Sequence, residues 1–424
     1  MKTEVCLDAD GKIIDQDAVS TSSVVSDKID RIVLNKWLGF PLMVMCFGIL
    51  FAASFTLGRP VSLWLGSMLD WLALMFEQSR LAAAMPQLVM SLISNGVLRG
   101  IGSALAFFPQ MLLFYAFYTL INDTGYAARI AYLMHRPMSR LNMDGRSFAP
   151  LILGYSCNVT AVVGARSIPG RVDRLIVMLI STFTPCSARF GVILYIAAAF
   201  FAPALATVVM CALIVLSWVV SAAVSYVIKM RIPGKPVEEM AMELPPYQMP
   251  SASFVLKASL YKTLDFLNRI KSVVIISSIA VWFLSSFPAG SGFEHSYAAM
   301  VGQFLEPIGR IAGLNWQMIV ALIFGFFAKE TTLSTLGVLF HASHGLGDLG
   351  SILVSHISPL AGLSFLVIYM FYIPCLATVA TIRRESQSLA FTGFSVLVSL
   401  SVAFVLGAAV YWIGLLIRLA GTWL

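Results

Sequence analysis

The stretch from Phe190 to Ile228 reads FGVILYIAAAFFAPALATVVMCALIVLSWVVSAAVSYVI and contains no Asp, Glu, Lys or Arg. A bilayer crossing takes about 20 apolar residues. This run is therefore too long for one pass and too apolar for a helix facing water. Pro203 supplies a break, which gives spans near 174–201 and 204–228. Similar runs lie at Trp37–Gly58, Ile101–Asn122, Ser272–Phe287, Ser358–Ile382 and Leu389–Ile417. The whole chain agrees with this local reading. Charged residues make up 12% of its 424 residues, against about 25% in a soluble domain, and hydrophobic residues make up 59%. The mean hydropathy is +0.86. A soluble enzyme and a disordered chain are excluded, because neither can carry that much apolar surface. The net charge of +7 belongs to basic cytoplasmic loops rather than to nucleic-acid binding, since no Lys/Arg cluster is interleaved with aromatics.

The remaining segments set the organisation. Residues 1–26 are polar and lack the basic start and apolar run of a signal peptide, so they read as a short cytoplasmic tail. Residues 60–98 are semi-apolar, with Asp70, Glu77 and Arg80 spaced through them, and are expected to form a periplasmic or interfacial hairpin. Arg129, Arg136, Arg140 and Arg146 crowd the 123–147 loop, and Lys229, Arg231, Lys235, Lys257, Lys262, Arg269 and Lys271 crowd the 229–271 loop. The segments 288–315 and 340–357 are nearly free of Lys and Arg. The positive-inside bias then puts the N-terminus and the basic loops in the cytoplasm. Phe148–Ala165 and Trp316–Leu339 are apolar but polar in the middle, and loop charge fits each as a re-entrant hairpin, entering from opposite faces. Opposed hairpins imply an inverted repeat with a site near the midplane. The expected fold is an all-α polytopic membrane protein with about seven to nine membrane segments. It divides into the tail, a first helix with an interfacial segment (27–100), a first repeat (101–228), a cytoplasmic loop (229–271), a second repeat (272–385) and a last helix (386–424).

Six cysteines occur with no CxxC pair, so neither a zinc site nor a disulfide framework is indicated. Three of them lie where a helix must break. Gly154-Tyr155-Ser156-Cys157-Asn158 interrupts the first hairpin, Pro185-Cys186-Ser187-Ala188-Arg189 the next span, and Pro374-Cys375 the span from Ser358. Thiolate sulfur and amide oxygen suit a borderline-soft divalent metal, and broken helices free backbone groups that line cavities. Each break also has a plain structural reading, as a packing Cys or a simple Pro kink. Ala328-Lys329-Glu330 puts opposite charges inside an apolar run, and Arg189 is a third intramembrane charge. Such residues are costly there and mark functional sites. Glu330 is a candidate hard ligand, and Lys329 is expected to pair across to a carboxylate. One cavity lined by Cys157, Cys186 and Cys375 is the sharpest expectation. His341 and His344 read as a solvated external loop.

These motifs, in this order, resemble the membrane domain of the ferrous iron transport protein B (FeoB) family with its two Gate segments. The resemblance also rests on Ser26–Leu34, Asp123-Thr124-Gly125-Tyr126-Ala127-Ala128-Arg129, Met242-Glu243-Leu244-Pro245-Pro246-Tyr247 and Tyr372–Glu385, and runs from about residue 26 to the C-terminus. It implies ferrous iron import through the bacterial or archaeal inner membrane. The implied metal path is Cys157, Asn158, Cys186, Ser187, Glu330 and Cys375, with Arg189 and Lys329 as gating charges. The family's GTP-binding domain has no counterpart here, because no GxxxxGK[ST] occurs. A GTP site in this chain is therefore not expected. A separate GTPase subunit and a small FeoA-like protein are the expected partners, and self-association is left open. Thr160, His135 and Asn122 stand where the family commonly has Pro, Asp and Glu. Two other classes fit a Gate segment: a nucleoside-type or other small-solute transporter, and a membrane subunit that transports nothing.

Overall fold

The computed structural model describes residues 26, 29–35, 37–78, 86–94, 102, 105, 108–140, 143–231, 246–288, 295–340 and 346–421. Their regular structure is helical, with no strand among them. His341, His344 and Met242–Pro245 lie outside the described residues, as does nearly all of the tail. Five helices are long and apolar enough to cross a membrane, or up to seven if each of two bent pairs counts as one span. This is a multi-pass helical membrane protein.

Two compact units are distinguished, one of residues 1–61, 109–149 and 235–265 and one of residues 62–108, 150–234 and 266–424. In the first, α1 (Gly39–Glu77) begins, followed by α2 (Phe108–Asp123) and α3 (Tyr126–Arg140). The basic 123–147 segment is mostly helix rather than loop. Gly125, with φ of 81°, turns the chain between α2 and α3. Arg129 is buried and uses Nε and Nη2 to donate to both carboxylate oxygens of Asp30 at 3.1 Å each. Its Nη1 donates to the Gly125 carbonyl at 3.1 Å. The Tyr247 ring covers the guanidinium at 4.2 Å. Burial and the Asp30 carboxylate push the Tyr247 phenol up to about 12, so it stays neutral over the cation.

Further segments can be set against their expectations. Residues 60–77 do not turn back but continue α1: Pro60 costs one backbone bond, and the apolar run beyond it carries the helix through Gly66-Ser67. The second span, expected over Ile101–Asn122, is described as helix over Phe108–Asp123, with residues 102 and 105 before it helical as well. The 252–271 part of the basic loop is helical, the first stretch of α9 (Ala252–Ser286), which bends by 43° after Arg269.

The second unit holds the breaks. Its helices are α4 (Phe148–Leu153), α5 (Asn158–Gly164), α6 (Arg171–Ile180), α7 (Ser187–Phe200) and α8 (Pro203–Arg231). After α9 come α10 (Tyr297–Gly309), α11 (Trp316–Phe327), α12 (Thr331–Leu339), α13 (Leu346–His356), α14 (Pro359–Phe371), α15 (Leu376–Ser386) and α16 (Leu389–Gly421). The segment around 288–315, expected as a loop, carries α10. It turns by 105° into α11 at Gly313, whose φ of 75° needs glycine. The order helix, break, helix, then helix, Pro-Cys break, helix occurs in α4–α7 and again in α11, α12, α14 and α15, with α13 inserted before α14.

Burial sorts the spans. Over an 18-residue apolar window of each, 72% and 67% of the residues are buried in the broken stretches Arg171–Phe200 and Pro359–Ser386, against 22% and 11% in Pro203–Arg231 and Leu389–Leu419. The outer pair faces lipid, and the broken pair sits where neighbouring protein can satisfy its loose backbone groups. Close approach of α14 and α16 rests on small residues. A methyl on Gly407 would collide with Ile368, and one on Gly414 with Leu360. The Ser364 hydroxyl sits in that seam, 2.6 Å from the Ala312 carbonyl and 3.0 Å from that of Gly407.

Gly407→Ala is expected to destabilise the solubilised protein by about 1–3 kcal/mol through overpacking. Gly393→Ala on the same helix, where nothing lies within 4 Å of the new methyl, is expected to be neutral or stabilising. Thermal unfolding of the two variants in one detergent checks the contrast.

Candidate functional site at the helix breaks

Four helices in the second unit start at a break, and a chemically distinctive residue holds the N-cap position of each. These are Cys157 before α5, Cys186 before α7, Glu330 before α12 and Cys375 before α15. All four are part-exposed, while Asn158, Arg189 and Lys329 are buried. The candidate ligands thus border open space and the intramembrane cations do not.

Hydrogen bonds link the breaks into one set. The Ser187 hydroxyl donates to the Ser156 carbonyl at 3.0 Å, joining the second break to the first. With its amide oriented to satisfy its neighbours, Asn158 donates to the Gly154 carbonyl at 3.0 Å and to that of Thr184 at 3.2 Å. Its nitrogen therefore ties the same two breaks, a role not foreseen for a residue expected to offer its oxygen. Thr160 donates its hydroxyl to the Cys157 carbonyl at 2.6 Å, where a Pro would offer no such bond.

Arg189 joins the second break to the fourth. It is fully buried and donates to the Thr182 carbonyl at 2.7 Å and the Tyr372 carbonyl at 2.8 Å. Lys329 joins the third break to the fourth: its Nζ donates to the Ile373 carbonyl at 2.7 Å and stands 3.3 Å from the Tyr372 ring centre. The Tyr369 hydroxyl donates back to the Lys329 carbonyl at 2.9 Å. Lys329 thus takes a carbonyl and an aromatic face, not the carboxylate expected across the site. Carbonyls freed by Pro374 explain the choice, since a broken helix leaves acceptors without donors.

The three thiols are within electrostatic reach of one another, and Lys329 is within reach of Cys186, Cys375, Arg189 and Glu330. The Cys375 sulfur lies 3.2 Å from the Thr378 hydroxyl. Among the described residues no group of three or more His, Cys, Asp or Glu is arranged to hold a metal. The breaks bring the predicted residues into one neighbourhood without a preformed coordination shell. Sequence reasoning missed Tyr369, Tyr372, Ile373 and Thr184. Tyr372-Ile373 directly precedes Pro374-Cys375, so the residues whose carbonyls a proline break exposes were open to view.

The fold and this site define a multi-pass membrane protein organised around paired broken helices. The profile of the Gate family, described as nucleoside recognition, matches residues 104–201 and 269–389, and that of the ferrous iron transport protein B C terminus matches 210–262. The chain belongs to the ferrous iron transport protein B family, of which it represents the Gate-bearing membrane part. It is 33% identical over 399 residues to the Fe(2+) transporter FeoB of Staphylococcus aureus, covering 92% of this chain and 59% of the relative. It is 31% identical to a fusion of Fe(2+) transport protein A with Fe(2+) transporter FeoB from Porphyromonas gingivalis, over 92% of this chain and 52% of the relative. The FeoB transporter of Synechocystis is 30% identical, over 92% and 64%. The chain thus spans between half and two thirds of the length of these relatives. No solved structure matches it.

Arg189→Met would leave two buried carbonyls unpaired, at about 1–3 kcal/mol each. Ser187→Ala removes one bond worth about 1 kcal/mol. Thermal unfolding is expected to rank Arg189→Met well below Ser187→Ala, and equal losses would contradict the linking role of Arg189.

Proposed function

We propose that this chain is the permease of a ferrous iron uptake system in the inner membrane. The observation that carries the reading is the placement of Cys157, Cys186, Cys375 and Glu330 at the part-exposed starts of four linked half-helices. Sulfur and carboxylate together accept ferrous iron, and relatives that cover 92% of the chain are named Fe(2+) transporters. The thiols and Glu330 act as successive ligands of a moving ion. Ser187 and Asn158 position the first two breaks around the path. The repeats at 101–228 and 272–385 form the transporting body, and neither contributes enzymatic chemistry.

The N-terminus and the basic segments face the cytoplasm. A divalent cation moving inward gains about 2.3 kcal/mol per charge per 100 mV, so the permease step needs no further drive. Nucleotide control, where present, comes from a GTPase acting on the cytoplasmic side. The Porphyromonas relative, which joins transport protein A to FeoB, supports a FeoA-like partner.

Replacing Cys157, Cys186 and Cys375 together by Ser is expected to cut ferrous iron uptake at least tenfold in an uptake-deficient host while leaving membrane insertion unchanged. Normal uptake by the triple variant would remove the thiols from the path. The Gate family's description favours one competitor, a nucleoside carrier, so the same cells are assayed with labelled nucleosides. Nucleoside accumulation without iron uptake would replace the iron reading.

A further inference from the structure

Lys329 occupies a place built for a cation that is not part of the protein. Its ammonium has one carbonyl partner, Ile373 at 2.7 Å, and one aromatic face, Tyr372 at 3.3 Å from the ring centre, with the Tyr369 ring at 5.6 Å. Carbonyl oxygens released by an unwound helix are the groups with which broken-helix membrane proteins bind transported cations. Aromatic faces add attraction for a desolvated cation. Cys186 and Cys375 lie within electrostatic reach of the same ammonium. No carboxylate is in ion-pair contact with Lys329 among the described residues.

Arg189 makes the contrast. It serves the preceding carbonyl, Tyr372, and at the same time grips Thr182. Two carbonyls on a planar fork make a fixed clamp. The Lys329 ammonium has a single hydrogen bond on a flexible stem and can be released without breaking a second one. The backbone of Lys329 is separately anchored by the Tyr369 hydroxyl, so the side chain can leave while the break stays in place.

We propose that the Ile373 carbonyl and the Tyr372 ring face form a cation-binding position on the transport path, which Lys329 fills as a tethered competitor when no ion is present. An arriving divalent cation takes the Ile373 carbonyl and Cys375 from the ammonium, which swings aside and returns once the ion has passed. The inference rests on the permease reading above and adds to it a closing device and a determinant of apparent affinity. Monovalent cations, with half the charge, displace the ammonium less well, so Lys329 also favours divalent ions.

The test compares wild type, Lys329→Met, Lys329→Arg and Arg189→Lys, each reconstituted in liposomes and checked for monodispersity and thermal unfolding. Ferrous iron influx is followed with an entrapped fluorescent chelator, and the same wild-type protein is assayed for iron uptake in cells. Removing the competitor is expected to lower the apparent KM for ferrous iron at least fivefold and to raise influx at low iron, including influx of monovalent cations. Lys329→Arg keeps a cation in place and is expected to fold normally, with KM at or above the wild-type value. Arg189→Lys is expected to lower the maximal rate with KM little changed. A folded Lys329→Met with unchanged KM and reduced maximal rate would overturn the tethered-cation proposal while leaving the iron reading intact. If wild type takes up no iron in cells, the iron reading fails. Lys329→Met liposomes that then leak cations where wild type does not would still support the closing device, and liposomes tight in both would overturn it.

Discussion

Two buried cations on two consecutive carbonyls hold this molecule's centre together. Arg189 donates to Tyr372 and Lys329 to Ile373. A cation in the middle of a bilayer costs about 2.5–3.5 kcal/mol by insertion scales, more if left unpaired. An unpaired carbonyl in the same setting costs about 1–3 kcal/mol. Each defect is tolerable only because the other is beside it. The Pro374 break needs the cations, the cations need the break, and they come from different breaks in the chain. Removing Arg189 exposes the carbonyls it serves, whereas the Lys329 backbone keeps its own anchor on the Tyr369 hydroxyl when the side chain moves.

The helix ends also sort charge by sign. A helix carries partial positive charge at its N-terminus and partial negative charge at its C-terminus. The residues able to become anions, Cys157, Cys186, Glu330 and Cys375, all stand at N-terminal starts. The buried cations stand at acceptors just past the C-terminal end of α14. Bare helix N-termini would repel a metal ion. A carboxylate at the cap, or a thiol that gives up its proton as the metal binds, reverses the local sign and turns a repulsive end into a ligand. Three thiols at breaks follow from this constraint: a path for a cation lined by N-termini must carry an anionic group at each.

Much of this was legible in the sequence, because its causes are local. Prolines 185 and 374 with their following cysteines, and the polar interruption of two apolar runs, mark breaks wherever they occur. Apolar run length located α8 and α16 to within a few residues. What the sequence concealed depends on distant partners. Arg129 counted as a loop charge, yet it is buried against Asp30, 99 positions away. Lys329 reads as half of an ion pair beside Glu330, but its partner is a backbone carbonyl 44 positions on, and every residue has a carbonyl. The 288–315 and 252–271 segments seemed to be loops because loop charge was the only guide, and charge does not forbid a helix.

An ion path must be stable when empty as well as when occupied, and a carbonyl suited to a cation is a buried unsatisfied group in the ion's absence. Water meets this need in wide pores. Here Lys329 is nearly inaccessible, 3% exposed, and the Tyr369 ring near its ammonium is fully buried. An ammonium on a flexible stem satisfies the carbonyl in the empty state at the cost of one buried charge. That charge is offset in part by the Tyr372 ring and by the thiols in reach. The same ammonium raises the free energy of the cavity for any second cation, which disfavours ions that bring less charge or no affinity for sulfur. On the role proposed for Lys329, stability of the empty site, closure of the path and selection for a thiophilic divalent ion come from one side chain, which would account for a lysine where an apolar residue inserts at lower cost.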